Sequence, residues 1–177
     1  MASELRVDRI IPTTGAPSTG GGGIIQTVFG EKSGEVTITT TTFQDTGVTA
    51  TITPKFNTSK ILVIIDQPYH MSRSTDKCSG GFKVLRGATE IATPNGVGAS
   101  GGTSPYACDF SFTGATAASI IDRWTWIRLD SPSTTSATTY KVQMACQTGN
   151  NSGRIRAQYS GTSGQQKGYI TLMEVSV

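Results

Sequence analysis

Residues 59–66 read Ser-Lys-Ile-Leu-Val-Ile-Ile-Asp, and this run constrains the fold more than any other in the chain. Its five consecutive aliphatics, Ile61, Leu62, Val63, Ile64 and Ile65, point alternately to both faces of any sheet they enter. Most of them are β-branched, with a stiff χ1 that suits a pleated backbone better than a helix. Polar residues bound the run, and it is far shorter than the roughly 20 residues a membrane-spanning helix needs. Such a run predicts a strand in the middle of a sheet, covered on both faces.

The remainder reads as short strands and turns. Thr (28), Ser (18) and Gly (21) supply 67 of the 177 residues, and Thr favours strands while Ser and Gly favour turns. Basic and acidic side chains, 15 and 12 of them, are interspersed to a net +3. A nucleic-acid binder gathers its basic residues into a stripe, and none is present. Arg154 and Arg156 share one strand face, which reads as solvated. Neither a nucleic-acid partner nor membrane insertion is expected.

Cys78, Cys108 and Cys146 are far apart, and the single His70 cannot complete a zinc set with them. No metal or cofactor is expected. Cys146, alternating with apolar Tyr140, Val142 and Met144, should be a buried thiol, whereas Cys78 sits in a polar stretch and should be more exposed. The polar start Met1-Ala2-Ser3-Glu4 is followed by no apolar signal region, so synthesis in a reducing cytoplasm is expected.

Residues 1–23 differ from the rest. Charged residues alternate with aliphatics through Glu4, Leu5, Arg6, Val7, Asp8, Arg9, Ile10 and Ile11, and a linker with Pro17 and the glycines Gly20 to Gly23 follows. An amphipathic tip on a flexible tether suggests docking onto another subunit through Leu5, Val7, Ile10 and Ile11. The glycines adjoin no strand–helix signal and so form no phosphate loop.

Residues 24–177 read as one β domain. Strands are predicted at 24–29, at 36–41, at 48–53 closed by Pro54, at 59–66, and across a hairpin signal at Gly87-Ala88. Residues 93–106 form a long Gly/Ser-rich loop, a place where binding residues often sit, with Asn95, Val97 and Tyr106 as candidates. Residues 117–130 fit helical spacing through Ala117, Ile120, Ile121, Trp124 and Ile127, yet the β surroundings favour a strand over 122–130. Tyr140, Val142, Met144 and Cys146 alternate with polar residues, and 168–175 carries apolar residues on both faces, as an interior strand would. About ten short strands and no convincing helix predict an all-β protein, an antiparallel β-sandwich of jelly-roll type behind an extended N-terminal arm.

Several stretches resemble a family of small virion proteins of tailed bacteriophages, especially cyanobacterial ones, described as tail-fibre-like. They are Ser-Glu-Leu-Arg-Val-Asp-Arg-Ile-Ile-Pro at 3–12, Gly-Gly-Ile-Ile-Gln at 22–26, and Ile-Thr-Pro-Lys at 52–55 leading to Ser-Lys-Ile-Leu-Val at 59–63. Leu-Asp-Ser-Pro at 129–132, Thr-Thr-Ser-Ala-Thr-Thr-Tyr-Lys-Val-Gln at 134–143 and Ile-Thr-Leu-Met-Glu at 170–174 complete the set, while 66–125 matches less. The resemblance implies an arm anchored to other virion proteins of tail or capsid, and a distal domain similar to trimeric jelly rolls of the tumour-necrosis-factor type. It implies a virion location after assembly in the host cytoplasm, and a host-surface glycan or protein as the target. A head-decoration or capsid-fibre protein would use the same arm.

The aromatics Trp124, Trp126, Tyr159 and Tyr169 need not all fit one small core, so they are candidates for a subunit interface, which the resemblance makes three-fold. Both tryptophans also read as core residues, or with Tyr69 and Tyr106 as platforms for sugar rings. A glycan-cleaving enzyme would need two facing carboxylates, and Asp109, Asp122 and Asp130 show no local arrangement of that kind. His70 as base with Ser72 or Cys78 as nucleophile lacks a Gly-x-Ser-x-Gly elbow. A non-enzymatic virion component, a tail fibre or fibre tip, is the expected function.

Overall fold

The structure, a computed structural model, describes residues 23–73, 78–92, 96–97, 103–104, 108–112, 117–148, 153–161 and 164–176. They form fifteen strands, and no helix occurs among the described residues. The first six are β1 (Ile24–Lys32), β2 (Val36–Ile38), β3 (Gln44–Ile52), β4 (Lys60–Arg73), β5 (Cys78–Arg86) and β6 (Thr89–Glu90). A small hairpin of β7 (Gly96–Val97) and β8 (Thr103–Ser104) precedes β9 (Cys108–Phe112), β10 (Ala118–Asp130), β11 (Thr138–Thr148) and β12 (Arg154–Ala157). A second hairpin, β13 (Ser160–Gly161) with β14 (Gly164–Gln165), leads to β15 (Gly168–Val175).

The aliphatic run does lie at the centre. Along one edge β4 pairs with β10, from Ile61 opposite Asp130 to Arg73 opposite Ala118. Along the other it pairs first with β15 and then, past Asp66, with β12. β1 flanks β15 and β2 flanks β12. The second sheet runs β3–β11–β5, with β6 and β9 sharing the outer edge of β5. Counting only β1, β3, β4, β5, β9, β10, β11 and β15, the sheets read first–eighth–third–sixth and second–seventh–fourth–fifth. That order is a jelly roll.

The core lies between the sheets. Ile61, Val63, Ile65 and Met71 of β4, Ile170 and Leu172 of β15 and Ile155 of β12 meet Val48 and Ile52 of β3, Tyr140, Val142 and Met144 of β11, and Phe82 and Val84 of β5. Each wholly buried aliphatic of this kind contributes about 1.5–3 kcal/mol. Cys146, on the same face of β11, is a buried thiol as expected. The sheets approach closely at Gly80, where a Cβ would fall 2.0 Å from the Ile155 Cδ1 methyl. Gly87, with φ of +58°, makes the β5–β6 turn in the left-handed region that glycine enters freely.

Two polar clusters close the end of the sandwich where β4 begins. Glu174 points inward and is fully buried. Burial alone would raise its pKa, but it accepts hydrogen bonds from Gln26 Nε2 at 2.6 Å and from the backbone N–H groups of Lys55 and Phe56 at 2.7 and 3.3 Å. Those bonds favour the carboxylate and bring its pKa below the ordinary value. Asp130 accepts from Arg86 Nη1 at 2.8 Å and from the Tyr140 hydroxyl at 2.8 Å. Burial, reinforced by that carboxylate, pushes the Tyr140 phenol well above its usual pKa.

Two sequence expectations change in detail. Residues 118–130 are all strand, longer than the 122–130 expected. The helix-like spacing arises because β10 carries apolar residues on both faces, Trp124 and Trp126 inward and Ile121, Ile127 and Leu129 outward. Among the described residues, the centre of β4 is covered on one face only. Ile61, Val63 and Ile65 have no exposure, whereas Leu62 and Ile64 are half-buried and face away from the second sheet.

Candidate functional site

Antiparallel sheets with one solvated face normally alternate apolar and polar residues. The outward face of the β4 sheet departs from this. Strand register aligns Phe29, Thr171, Ile64 and Ile127 in one row across β1, β15, β4 and β10. The adjacent row is Thr27, Met173, Leu62 and Leu129. Phe29 and Ile127 are 61% and 62% exposed, and Leu129 is 48% exposed. Phe29 stacks on Tyr169 at 5.7 Å between ring centroids, which extends the apolar surface into the next row. Single exposed apolar residues are ordinary, but two neighbouring rows this rich in them are unusual on an outward sheet face.

The patch ends at a row of charges that are already neutralised. Arg123 Nε donates to Asp66 Oδ1 at 2.9 Å, and Lys167 Nζ lies 2.6 Å from Glu31 Oε1. The hydrogen bond to Asp66 raises the Arg123 pKa. With these charges paired within the protomer, a covering surface need not supply counterions here.

Beyond that row the same face becomes basic. His70 is 6% exposed and stacks beneath Tyr159 at 4.1 Å. Arg156 lies over the Tyr159 ring and 3.4 Å from Glu35, and Arg154 Nε donates to Ser72 Oγ at 3.2 Å. Burial lowers the His70 pKa, the charges of Arg156 and Arg154 lower it further, and Glu35 opposes them.

The candidate residues fall in different places. Tyr169 lies on the outward face beside the apolar rows, and Tyr159 lies at the basic end. Trp124 is inside the protomer, stacked on Phe82 at 4.8 Å, and Trp126 packs against the edge of the same core. Val97 belongs to β7, opposite Thr103 of β8. Leu5, Val7, Ile10, Ile11, Asn95 and Tyr106 lie outside the described residues. Of the residues weighed for catalysis, Asp130 is committed to Arg86 and Tyr140, His70 is covered by Tyr159, and the Ser72 hydroxyl accepts from Arg154. Asp122 lies on β10, where its Oδ1 accepts from the backbone N–H of Arg123. Cys78 and Asp109 belong to β5 and β9. Among the described residues no group of three or more His, Cys, Asp or Glu is placed to hold a metal.

Sequence reasoning did not place Phe29, Leu62, Ile64, Ile127, Leu129 and Met173 on an open face: Leu62 and Ile64 were expected to be covered, and Ile127 was read only for its strand or helix spacing. The usable signal was that β4, β10 and β15 each carry apolar residues at both parities, more than two covered faces could be assumed to absorb.

Fold and face together define the class, a jelly-roll β-sandwich with one sheet left apolar on the outside. No protein-family model matches the chain, and no curated protein matches it. Among solved structures, it is similar to a chain of infectious bursal disease virus Gx strain at 10% identity and a TM-score of 0.36, covering 97% of this chain and 44% of that one. A chain of the Gt strain gives 8% identity and 0.37 over the same shares. Thus the chain spans less than half the length of either. A chain of the extra small virus VLP of the giant freshwater prawn Macrobrachium rosenbergii is 16% identical at a TM-score of 0.22, covering 96% of this chain and 94% of that one. Likeness at this level says nothing of function.

Proposed function

We propose that the chain is a non-enzymatic structural protein of a phage virion, a tail-fibre or fibre-tip component, whose β domain joins two further copies through the outward face of the β4 sheet. The observation that carries this reading is the pair of apolar rows from Phe29 to Ile127 and from Thr27 to Leu129. Water is a poor neighbour for such a surface, and a closed ring of identical copies covers it without leaving an open end. The three-fold choice and the virion setting come from the resemblance in residues 3–12, 22–26, 52–55, 59–63, 129–132, 134–143 and 170–174. A head-decoration or capsid-fibre role would use the same face and arm.

The topology supports a polar arrangement. β1 begins beside the end of β15 and the start of β4, since Ile24 pairs with Val175 and Val175 with Lys60. In this reading the arm over residues 1–23 joins the domain at that end, where Ile24 begins β1. At the other end lie Arg73, Cys78, Phe112, Ala118, Thr148 and Arg154, the strand ends facing away from the virion in this reading. A host-surface glycan or protein would be met there.

Native mass spectrometry of the full chain at micromolar concentration tests the assembly and should give a trimer. Ile127→Asp should give a folded monomer, because an unpaired charge would have to be desolvated. A wild-type monomer would overturn the trimer. Imaging particles with tagged protein tests the virion setting separately, and absence of label from both tail and head would overturn it.

A further inference from the structure

Among the described residues β10 is an edge strand, paired with β4 along one side only. It runs for 13 residues without a proline, and its register with β4 carries no bulge. Two observations fix which of its backbone groups face away from β4. The Pro68 carbonyl accepts from the Gln158 N–H at 3.3 Å, so Pro68 turns its backbone toward β12 and away from Arg123, its opposite on β10. The Arg123 N–H is correspondingly left to the open edge, where it donates to Asp122 Oδ1 at 2.7 Å. In an unbroken antiparallel ladder the same holds for every second residue. The backbone groups of Ile121, Arg123, Thr125, Ile127 and Leu129 therefore face the open edge, and among the described residues only the Arg123 N–H has a partner there. Native sheets guard long edges with prolines, bulges or charges. The charges on β10 are of both signs. Asp122 and Arg128 are exposed on one face of the strand, and neither has an oppositely charged partner among the described residues.

We propose that β10 pairs antiparallel with β10 of a second copy of this chain, about a two-fold axis at Thr125. Residues directly opposite in such a ladder share a face of the sheet, so odd positions meet odd and even meet even. Centred on Thr125, the pairing sets Asp122 against Arg128 of the second copy, and Arg128 against its Asp122. On the other face it sets Ile121 against Leu129, also twice, and these are 55% and 48% exposed in the protomer. Centring on Trp126 instead would set Asp122 against Asp130. Centring on Trp124 would set Asp122 against Trp126 and Arg128 against Ile120. Opposite charges directly across a ladder stabilise it and like charges destabilise it, so the charges select the Thr125 register. In that register the Arg123 N–H exchanges Asp122 for the Ile127 carbonyl of the second copy, which frees the carboxylate for Arg128. The contact goes beyond the face-to-face assembly and does not rest on it, since it uses a backbone edge and makes one continuous sheet of two protomers. It presents the same patch from both sides, as a two-fold contact must. It encloses little apolar area, so it is weak at micromolar concentration and forms where copies are crowded.

Thr125→Cys in the full chain tests the axis. Residues opposite each other in a hydrogen-bonded pair have Cα atoms about 5.5 Å apart, within reach of a disulfide. Under mild oxidation at submillimolar protein, non-reducing electrophoresis should show a linked dimer that the wild type does not form. Ser119→Cys, exposed on the same strand, should give none, because its counterpart lies far along the ladder. Adding Arg128→Asp to Thr125→Cys should lower the dimer yield about fivefold or more. Adding Asp122→Arg as well should restore it, because the reversal re-forms both ion pairs. No dimer from Thr125→Cys, an equal dimer from Ser119→Cys, or a yield that ignores the charge reversal would each overturn the pairing. The last result is what linkage across the outward apolar face would give, so the trimer stands or falls separately. If the reversal variants lose their β circular dichroism, hydrogen exchange of the wild-type chain decides. The Thr125 and Ile127 amides should then exchange more slowly at submillimolar than at micromolar protein, and an unchanged rate would overturn the proposal.

Discussion

The two faces of β4 are made of the same kinds of residue and meet opposite surroundings. Ile61, Val63 and Ile65 are sealed against the second sheet, while Leu62 and Ile64, one position away on the same strand, face outward beside the half-exposed rim of β10. Parity in a strand decides direction, but only a neighbour decides burial. The inward face obtained its neighbour from this chain's own β3, β5 and β11. The outward face has no layer from the described residues, and in the proposed assembly the difference separates what holds the protomer together from what joins protomers.

The largest effect should come from the inward side. Ile65→Ala leaves a cavity in a fully enclosed site and should cost about 2–5 kcal/mol of folding stability in denaturant titration. If Ile64→Ala costs as much in a dissociated protomer, the two faces are energetically alike and the contrast fails.

Next is Ile127→Asp, which should abolish association while leaving the folding midpoint of the protomer nearly unchanged, as surface substitutions usually do. Loss of β circular dichroism in that variant would show that the outward residue belongs to the fold after all. A smaller effect is expected for Tyr140→Phe. It removes the hydroxyl that donates to Asp130 and should cost about 1–2 kcal/mol, since bonds to charged groups are worth somewhat more than neutral ones.

The smallest effect is in acid. His70 has a lowered pKa in the fold, set by burial and by Arg156 and Arg154 against Glu35, with Tyr159 stacked on the ring. The unfolded chain therefore binds the proton more readily. Stability is complete above the ordinary imidazole value of about 6.5 and is lost as pH falls from there through the folded value. His70→Phe should remove that limb of a stability–pH curve. The contribution of Glu174 is lost in a separate window, as pH falls through its lowered value beneath the ordinary carboxylate range. An unchanged curve between pH 7 and 5 in His70→Phe would assign the acid sensitivity elsewhere.

What could be read from the chain follows from what each strand shows of itself. β11 was legible because Tyr140, Val142, Met144 and Cys146 alternate with polar residues, one face wet and one dry. β15 was legible as interior because Tyr169, Ile170, Leu172, Met173 and Val175 put apolar groups on both faces. β10 was ambiguous for the same reason, since apolar residues at both parities fit neither template cleanly. The rows that make the outward face were not legible at all. They depend on register between β1, β15, β4 and β10, and nothing local in the sequence states that Phe29 and Ile127 lie in one line. The Arg86–Asp130 contact, 44 positions apart in the chain, was hidden likewise.

The antiparallel pairing of β1 with β15 has a mechanical meaning. Eight residue pairs hold β1 to β15, from Ile24–Val175 to Lys32–Gly168. Hydrogen bonds in such a ladder lie across the strands. A pull on the start of β1 in line with the strand therefore loads the ladder in shear, so that many bonds resist together. A pull across the sheet would open them one at a time, like a zip. The β1–β15 ladder is therefore the part of the domain best placed to resist a pull along its first strand.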